Sequence, residues 1–367
     1  MNLQCGLVGL PNVGKSTLFN ALTKGQAEAS NYPFCTIDPN VGIVALPDER
    51  LEKIIQFVQP EKNIPTSTQF VDIAGLVAGA SKGEGLGNQF LSHIRETNAI
   101  IHVVRCFEDE NIVHVEGNIN PTRDIETINT ELLLADLDSM EKRLQKSEKK
   151  ARSTNDPFLK KEVELMKTVL HLLEQGQPVR QGEWSPDEEK IIFLWNLISF
   201  KPVLYICNIA EQDIANSESN PFVKEVQKMA DQESAQTLAL CSAIESEIVQ
   251  LEPEEQKDFL KDLGLKQSGL DLLIQKAYSM LGLITYFTAG KKEVRAWTIK
   301  QGYTAPEAAG VIHTDFEKGF IRAETYHCED LFNYKSEQAV KEAGKLRLEG
   351  KTYEVKDGDI LFFRFNV

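Results

Sequence analysis

No stretch of this 367-residue chain approaches the ~20 consecutive apolar residues that a bilayer span requires, so no membrane-spanning helix is expected. The opening residues, MNLQCGLVGL, lack the basic region and cleavage site of a secretory leader. The six cysteines (Cys5, Cys35, Cys106, Cys207, Cys241 and Cys328) include no CxxC pair, and no histidine stands beside them at metal-ligand spacing. That argues against a zinc ribbon or a disulfide framework and makes a reducing cytoplasm the expected compartment. A surplus of positive charge is missing too: 40 Lys and Arg face 55 Asp and Glu, a formal net charge of −15. Such a balance argues against a protein coated in nucleic acid, while leaving room for a local basic face.

What is present is an ordinary globular composition, 42% hydrophobic and 26% charged, in a chain long enough for two or three cored domains. The strand-like LQCGLVGL runs into GLPNVGKST: Gly9, four residues, then Gly14, Lys15, Ser16 and Thr17. A helix, STLFNALTKG, follows. This is a P-loop, in which glycines let successive backbone N–H groups curl around phosphate oxygens at a helix N-terminus. Asn12, Val13, Gly14, Lys15, Ser16 and Thr17 are the expected cradle. Lys15 would reach the β- and γ-phosphates, and Ser16 would offer its hydroxyl to Mg²⁺.

A second strand, STQFVDIAGL, ends in Asp72-x-x-Gly75. There an acid at a strand's carboxyl end can hold Mg²⁺ and the Gly75 N–H can meet the γ-phosphate. Thr36, in NYPFCTIDPN, is the expected switch threonine on the same metal. The residue after Gly75 is Leu76, whose apolar side chain cannot orient water as a Gln would. His93 and His114 are the histidines in range, and each also fits a structural role.

Base recognition is expected at VLYICNIAEQD, where a guanine site would read Asn-Lys-x-Asp. Here Asn208 is followed by Ile209, Ala210 and Glu211. Asp would accept from the guanine N1–H and amine. Glu displaces that carboxylate, and loss of the Lys removes the aliphatic stem covering the base. Ser242-Ala243 supplies the far wall. The residues describe a purine nucleotide site with weakened guanine selection, leaning toward ATP and leaving GTP open.

Together with the C-terminal YFTAGKKEVRAWTI and AAGVIHTDFEKGFIRAE, these strings resemble the YchF/Obg-like ATPase family along essentially the whole chain. The resemblance implies a ribosome-associated nucleotide-switch ATPase of low intrinsic rate, with Mg²⁺ as cofactor and GTP as a weaker substrate. It implies that Asn208, Ile209 (through its backbone) and Glu211 form the adenine site, that His114 is the catalytic histidine alongside Lys15 and Gly75, and that Asn12 helps hold K⁺. A ribosomal or rRNA partner is implied; a monomer is expected, with no membrane partner. A GTPase of ribosome assembly and a nucleotide-gated regulator with incidental hydrolysis are the alternatives.

Between the two halves of the nucleotide site the pattern becomes helical. Leu133, Leu137, Met140 and Leu144, then Leu159, Val163, Met166, Leu170 and Leu173, follow coiled-coil spacing around a turn at 153–157. A third helix should begin at Ser185-Pro186 with Glu188 closing a capping box, and run to about Phe200. Lys142, Arg143, Lys146, Lys149, Lys150, Arg152, Lys160 and Lys161 make the hairpin tip a candidate ribosome-binding patch. From Leu283 the chain turns strand-rich, with EVRAWTI as one strand and KTYEVKDGDILFFRFNV as two joined at Asp357-Gly358-Asp359. This module resembles a TGS domain, a ubiquitin-like β-grasp. The expected architecture is an α/β P-loop NTPase with a G-domain-like parallel sheet in two parts, 1–120 and 201–282. An α-helical coiled-coil hairpin domain is inserted at 121–200, and an α+β β-grasp (TGS-like) domain occupies 283–367.

Overall fold

The structure, a computed structural model, describes residues 3–24, 40–73, 86–114, 117–154 and 156–366. In chain order it opens with β1 (Gln4–Val8), α1 (Lys15–Lys24), β2 (Val41–Ala45) and α2 (Glu49–Val58). Next come β3 (Lys62–Ile64), β4 (Ser67–Asp72), α3 (Leu86–Glu96) and β5 (Ala99–Arg105). A helical run follows: α4 (Pro121–Thr154), α5 (Pro157–Glu174) and α6 (Pro186–Leu194). The chain then forms β6 (Val203–Asn208), α7 (Pro221–Gln232), β7 (Gln236–Leu240), α8 (Ser242–Ile248), α9 (Pro253–Asp262) and α10 (Gly269–Met280). It closes with β8 (Leu283–Ala289), β9 (Glu293–Lys300), α11 (Ala305–Ile312), α12 (Thr314–Lys318) and β10 (Phe320–His327). Last are α13 (Cys328–Tyr334), α14 (Glu337–Glu342), β11 (Arg347–Glu349) and β12 (Asp359–Phe365). Among the described residues no helix is long and apolar enough to cross a membrane.

Two compact units emerge: Leu3–Gly42 with Gln69–Leu273, and Ile43–Thr68 with the stretch from Ile274 onward. In the larger unit β4, β1, β5, β6 and β7 pair in parallel in that order. Every residue of β5 and β6 is buried, as continuous apolar runs in a sheet covered on both faces should be.

The helical stretch is an antiparallel pair closed by local chemistry. Asp156 caps α5, its side chain accepting from the Phe158 N–H at 2.8 Å, and Pro157 occupies the first turn. Leu133, Met140, Met166, Val169 and Leu173 meet in one core with Trp195 and Leu197, and Leu137, Leu144 and Leu170 pack against it. The capping box at Ser185 and Glu188 forms as expected. The third helix, however, stops at Leu194 rather than near Phe200. Asn196 takes a left-handed conformation (φ 53°), and only a 3₁₀ turn at Ile198–Phe200 follows. That turn is held by the buried Asp136 of α4, which accepts from Ile198 N–H (3.0 Å), Ser199 N–H (2.7 Å) and the Ser199 hydroxyl (2.7 Å).

The smaller unit is a mixed sheet ordered β11-β10-β12-β8-β9-β3. Its composition departs from the sequence-based boundaries. Residues 43–68, expected within the nucleotide-binding part, belong here: β3 pairs in parallel with β9, and Leu51 and Ile54 of α2 enter a core with Phe287, Val294, Tyr326 and Ile360. The opposite face packs Leu361, Tyr286 and Ile299 against Ala305, Ala308 and Ala309 of α11. Thus Ile360 and Leu361 alternate between two covered faces. Of the two strands expected in 351–367, only β12 exists; the first reduces to a single bridge between Thr304 and Glu354.

If 43–68 is a true part of this core, Ile54→Ala should destabilise the smaller unit by about 2–5 kcal/mol. Urea denaturation followed by amide exchange in β9 and β12 reads this directly. Phe193→Ala, at an exposed position, should change stability by less than about 0.5 kcal/mol. Unaltered exchange in β9 and β12 would remove 43–68 from the core.

Candidate functional site

In an open parallel sheet, ligands bind beyond the carboxyl ends of the strands where the order reverses. Here that point lies after β1, which is flanked by β4 and β5, and the P-loop occupies it. Its conformation requires its glycines. Gly14 sits at φ 93°, and a Cβ there would stand 2.2 Å from the Asn208 Nδ2; one on Gly9 would stand 2.7 Å from the Val103 carbonyl oxygen.

Asn208, at the end of β6 and only 4% exposed, joins three elements. Its Nδ2 donates to the Val13 carbonyl at 2.8 Å, and its Oδ1 accepts from the Ser242 N–H, which opens α8, at 2.9 Å. The Ile209 N–H donates to the Leu240 carbonyl at 3.0 Å, keeping β6 and β7 in register beyond the last strand residue. Glu211 is exposed at the start of the following 3₁₀ turn. It lies near enough to Cys241 that its charge adds to burial in pushing that thiol up. The structure therefore brings Val13, Gly14 and Ser242 together at Asn208, with Ile209 joined to the end of β7 and Glu211 near Cys241, the residue before Ser242. The Ser242 hydroxyl is buried there without a hydrogen-bond partner among the described residues.

Lys15, at the first position of α1, is buried and its ammonium contacts the Asp72 carboxylate at the end of β4. Ser16 and Thr17 are exposed in the same turn. An acid already facing a cation, beside an exposed hydroxyl, is a hard-oxygen donor pair that suits Mg²⁺. Thr36, Gly75 and Leu76 lie outside the described residues.

His114 lies in the loop after β5 and is buried, its Nε2 2.8 Å from the Asp124 Oδ2 in the first turn of α4. Asn12, at φ 65°, donates its Nδ2 to the Val113 carbonyl at 3.2 Å, so the P-loop touches the histidine's own segment. His93 is exposed on α3. Two residues of this arrangement escaped the sequence reading. One is Asp124. The other is Arg105, which donates to the carbonyls of Phe107 (3.1 Å), Asp109 (3.2 Å) and Ile112 (2.9 Å). An arginine closing the apolar run AIIHVVR was the available signal, since such a burial demands acceptors.

The basic residues do not form one face. Lys142, Arg143 and Lys146 line a groove of about 700 Å³ with Arg95, Trp195 and Asn196. Lys142 pairs with Asp138 at 2.7 Å, and Arg143 reaches the Trp195 carbonyl at 3.5 Å. Lys160 and Lys161 border a separate depression shared with Glu164, Glu183 and Glu188. Lys149, Lys150 and Arg152 are exposed on the last turns of α4. Among the described residues no cluster of His, Cys, Asp and Glu is poised to hold a metal, His313, Asp315 and Glu317 included.

Residues 4–150 match the family described as 50S ribosome-binding GTPase. Residues 283–366 match the YchF GTPase C-terminal family, described as a protein of unknown function. The chain is 56% identical to the ribosome-binding ATPase YchF of Haemophilus ducreyi and 53% identical to that of Bacillus subtilis, covering all of each protein. The solved structure of the Schizosaccharomyces pombe YchF GTPase superposes with a TM-score of 0.89 at 42% identity, over 99% of this chain and 98% of that one. The α/β P-loop fold read from the sequence is thereby shown.

Because Asn208 satisfies two other elements, Asn208→Ala should weaken binding of ATP and GTP alike, by about 10- to 100-fold if both bonds are lost. Fluorescent-nucleotide titration reads this. Loss confined to one base would show that Asn208 reads the base and does not hold the cradle.

Proposed function

This chain belongs to the YchF family, and from that premise we propose that it is a ribosome-associated ATPase in which a reshaped base wall selects adenine over an unaltered phosphate cradle. The observation that carries this reading is the arrangement at Asn208. The amide that holds the P-loop to α8 is in place, while three residues later the carboxylate is Glu211, one methylene longer than the guanine-reading Asp. Adenine has no N1–H for a carboxylate to accept from, so displacing the acid removes a repulsion as well as an attraction.

Around a bound triphosphate, Lys15 moves from Asp72 to the β- and γ-phosphate oxygens, and the backbone N–H groups of 12–17 supply the cradle. Ser16, Asp72 and Thr36 are the residues that would hold Mg²⁺, which when bound neutralises charge on the bridging and transferred oxygens. The Gly75 N–H would meet the γ-phosphate. His114 takes the water-orienting part that Leu76 cannot. The Asn12 Nδ2 is engaged by the Val113 carbonyl, which leaves its Oδ1 as the atom that would help hold K⁺. Hydrolysis yields ADP and phosphate at a low intrinsic rate, with GTP a weaker substrate. Lys149, Lys150 and Arg152, exposed at the end of α4, are the groups best placed to meet a phosphate backbone. The mixed sheet of the smaller unit supports reading it as the TGS-like module that accompanies such a protein.

Competition between labelled ATP and GTP tests the adenine assignment. The expected result is ATP tighter by about tenfold or more, with Glu211→Asp narrowing the gap; the reverse preference in the wild type would overturn it. Replacing Lys149, Lys150 and Arg152 together by Glu should weaken ribosome sedimentation and flatten its salt dependence. An unchanged affinity and salt slope would place the contact elsewhere.

A further inference from the structure

The described part of the loop between β5 and α4 is held at several points, two of them by residues expected at the nucleotide. At its start the Cys106 N–H donates to the carbonyl of Asn208 at 2.8 Å. Within it, the guanidinium of Arg105, 1% exposed, gives its donors to three carbonyls, at Phe107, Asp109 and Ile112. Near its end, Asn12 of the P-loop holds the Val113 carbonyl. His114 then turns inward, and its Nε2 meets the Asp124 carboxylate with both side chains 4% exposed. Arg123 approaches the other oxygen of that carboxylate at 3.3 Å.

This arrangement is at odds with orienting a water. A histidine that positions the attacking water must present a ring nitrogen to it, within hydrogen-bond reach of the γ-phosphate side. A side chain this enclosed, bonded to a buried carboxylate, presents no such surface. Charge-assisted pairs of this kind are among the stronger hydrogen bonds, the more so in a low-dielectric interior.

We propose that the His114–Asp124 pair is an autoinhibitory latch: Asp124 holds His114 away from the nucleotide, and hydrolysis proceeds only from the fraction of molecules in which the pair has parted. The inference rests on the reading that His114 acts in hydrolysis. It accounts for a low intrinsic rate without a defect in the phosphate cradle, since turnover scales with the unlatched population. It also gives the long helix a task. Asp124 stands in the first turn of α4, and Lys149, Lys150 and Arg152 stand in its last turns, about 40 Å away along a rigid rod. An anionic surface that captures the far end and tilts α4 would draw Asp124 off His114. The P-loop end has its own trigger, because a ligand that takes the Asn12 Nδ2 as its donor releases the Val113 carbonyl.

The test is steady-state ATP turnover of the full chain as wild type, Asp124→Asn, His114→Ala and the double variant. Asp124→Asn replaces a charge-assisted bond by a neutral one of about half the strength, so kcat should rise about threefold or more with little change in KM. The rise should vanish when His114 is also replaced. A fall in kcat toward the His114→Ala level would make Asp124 an orienting partner and overturn the latch, as would an unchanged kcat. Wild-type turnover in His114→Ala alone would instead defeat the hydrolytic reading of His114, and the latch with it. Should Asp124→Asn fold poorly, deuterium exchange at the His114 imidazole C2–H decides the matter in the wild type. It should be slow without nucleotide and faster with a non-hydrolysable ATP analogue, Mg²⁺ and ribosomes. Equally slow exchange in both would contradict the proposal.

Discussion

One buried amide fixes the geometry of the nucleotide crevice. Asn208 sits where β6 ends, and its two side-chain bonds, to Val13 and to Ser242, tie the phosphate loop to the first residue of α8. Leaving either partner unmet in so dry a place costs about 1–3 kcal/mol, so the three elements move together or not at all. The left-handed glycine at position 14 follows from the same contact, since any side chain there would collide with that amide. Because the amide is engaged with protein groups, its work is independent of which purine lies beyond it. On the proposed reading, that independence lets Glu211 stand in place of the guanine-reading acid with the cradle unchanged.

A second constraint comes from how the chain is threaded. Residues 43–68 leave the nucleotide-binding unit, build α2 and β3 into the sheet and core of the smaller unit, and return as β4, whose last residue is Asp72. The acid that faces Lys15 is thus the end of a strand that begins in the other unit. Position in sequence is a poor guide to membership here: the smaller unit is assembled from two segments more than two hundred residues apart.

The sequence made legible whatever is encoded in short spacing. The P-loop was readable because it is a local pattern with a local mechanism, and the strands that end in Asp72 and Asn208 were readable from their apolar runs. The helical hairpin was readable from its apolar period, and the cap of the helix after it, at Ser185 with Glu188, from residue type; the Asp156 cap lay hidden inside the expected turn. What escaped depends on contacts across the chain. Nothing near Asp124 announces that it will meet His114, and nothing in ERLEKIIQFV distinguishes a helix of one unit from a helix of the other. KTYEV alternates like a strand, but its partner is a single bridge at Thr304 rather than a ladder. The third helix ended early because Asn196 takes up a left-handed turn and Asp136, distant in sequence, holds the backbone that follows it.

On the proposed reading, the phosphate cradle, the base wall and the hydrolytic group are separable parts, joined at Asn208 and Asn12. The most direct test of that separation is a crystal structure of the chain with Mg²⁺ and a non-hydrolysable ATP analogue. The account predicts adenine lying against the Ile209 backbone and Glu211, with Asn208 still bonded to Val13 and Ser242. A base lodged elsewhere, or an Asn208 amide that has left the phosphate loop to bind the purine, would contradict it.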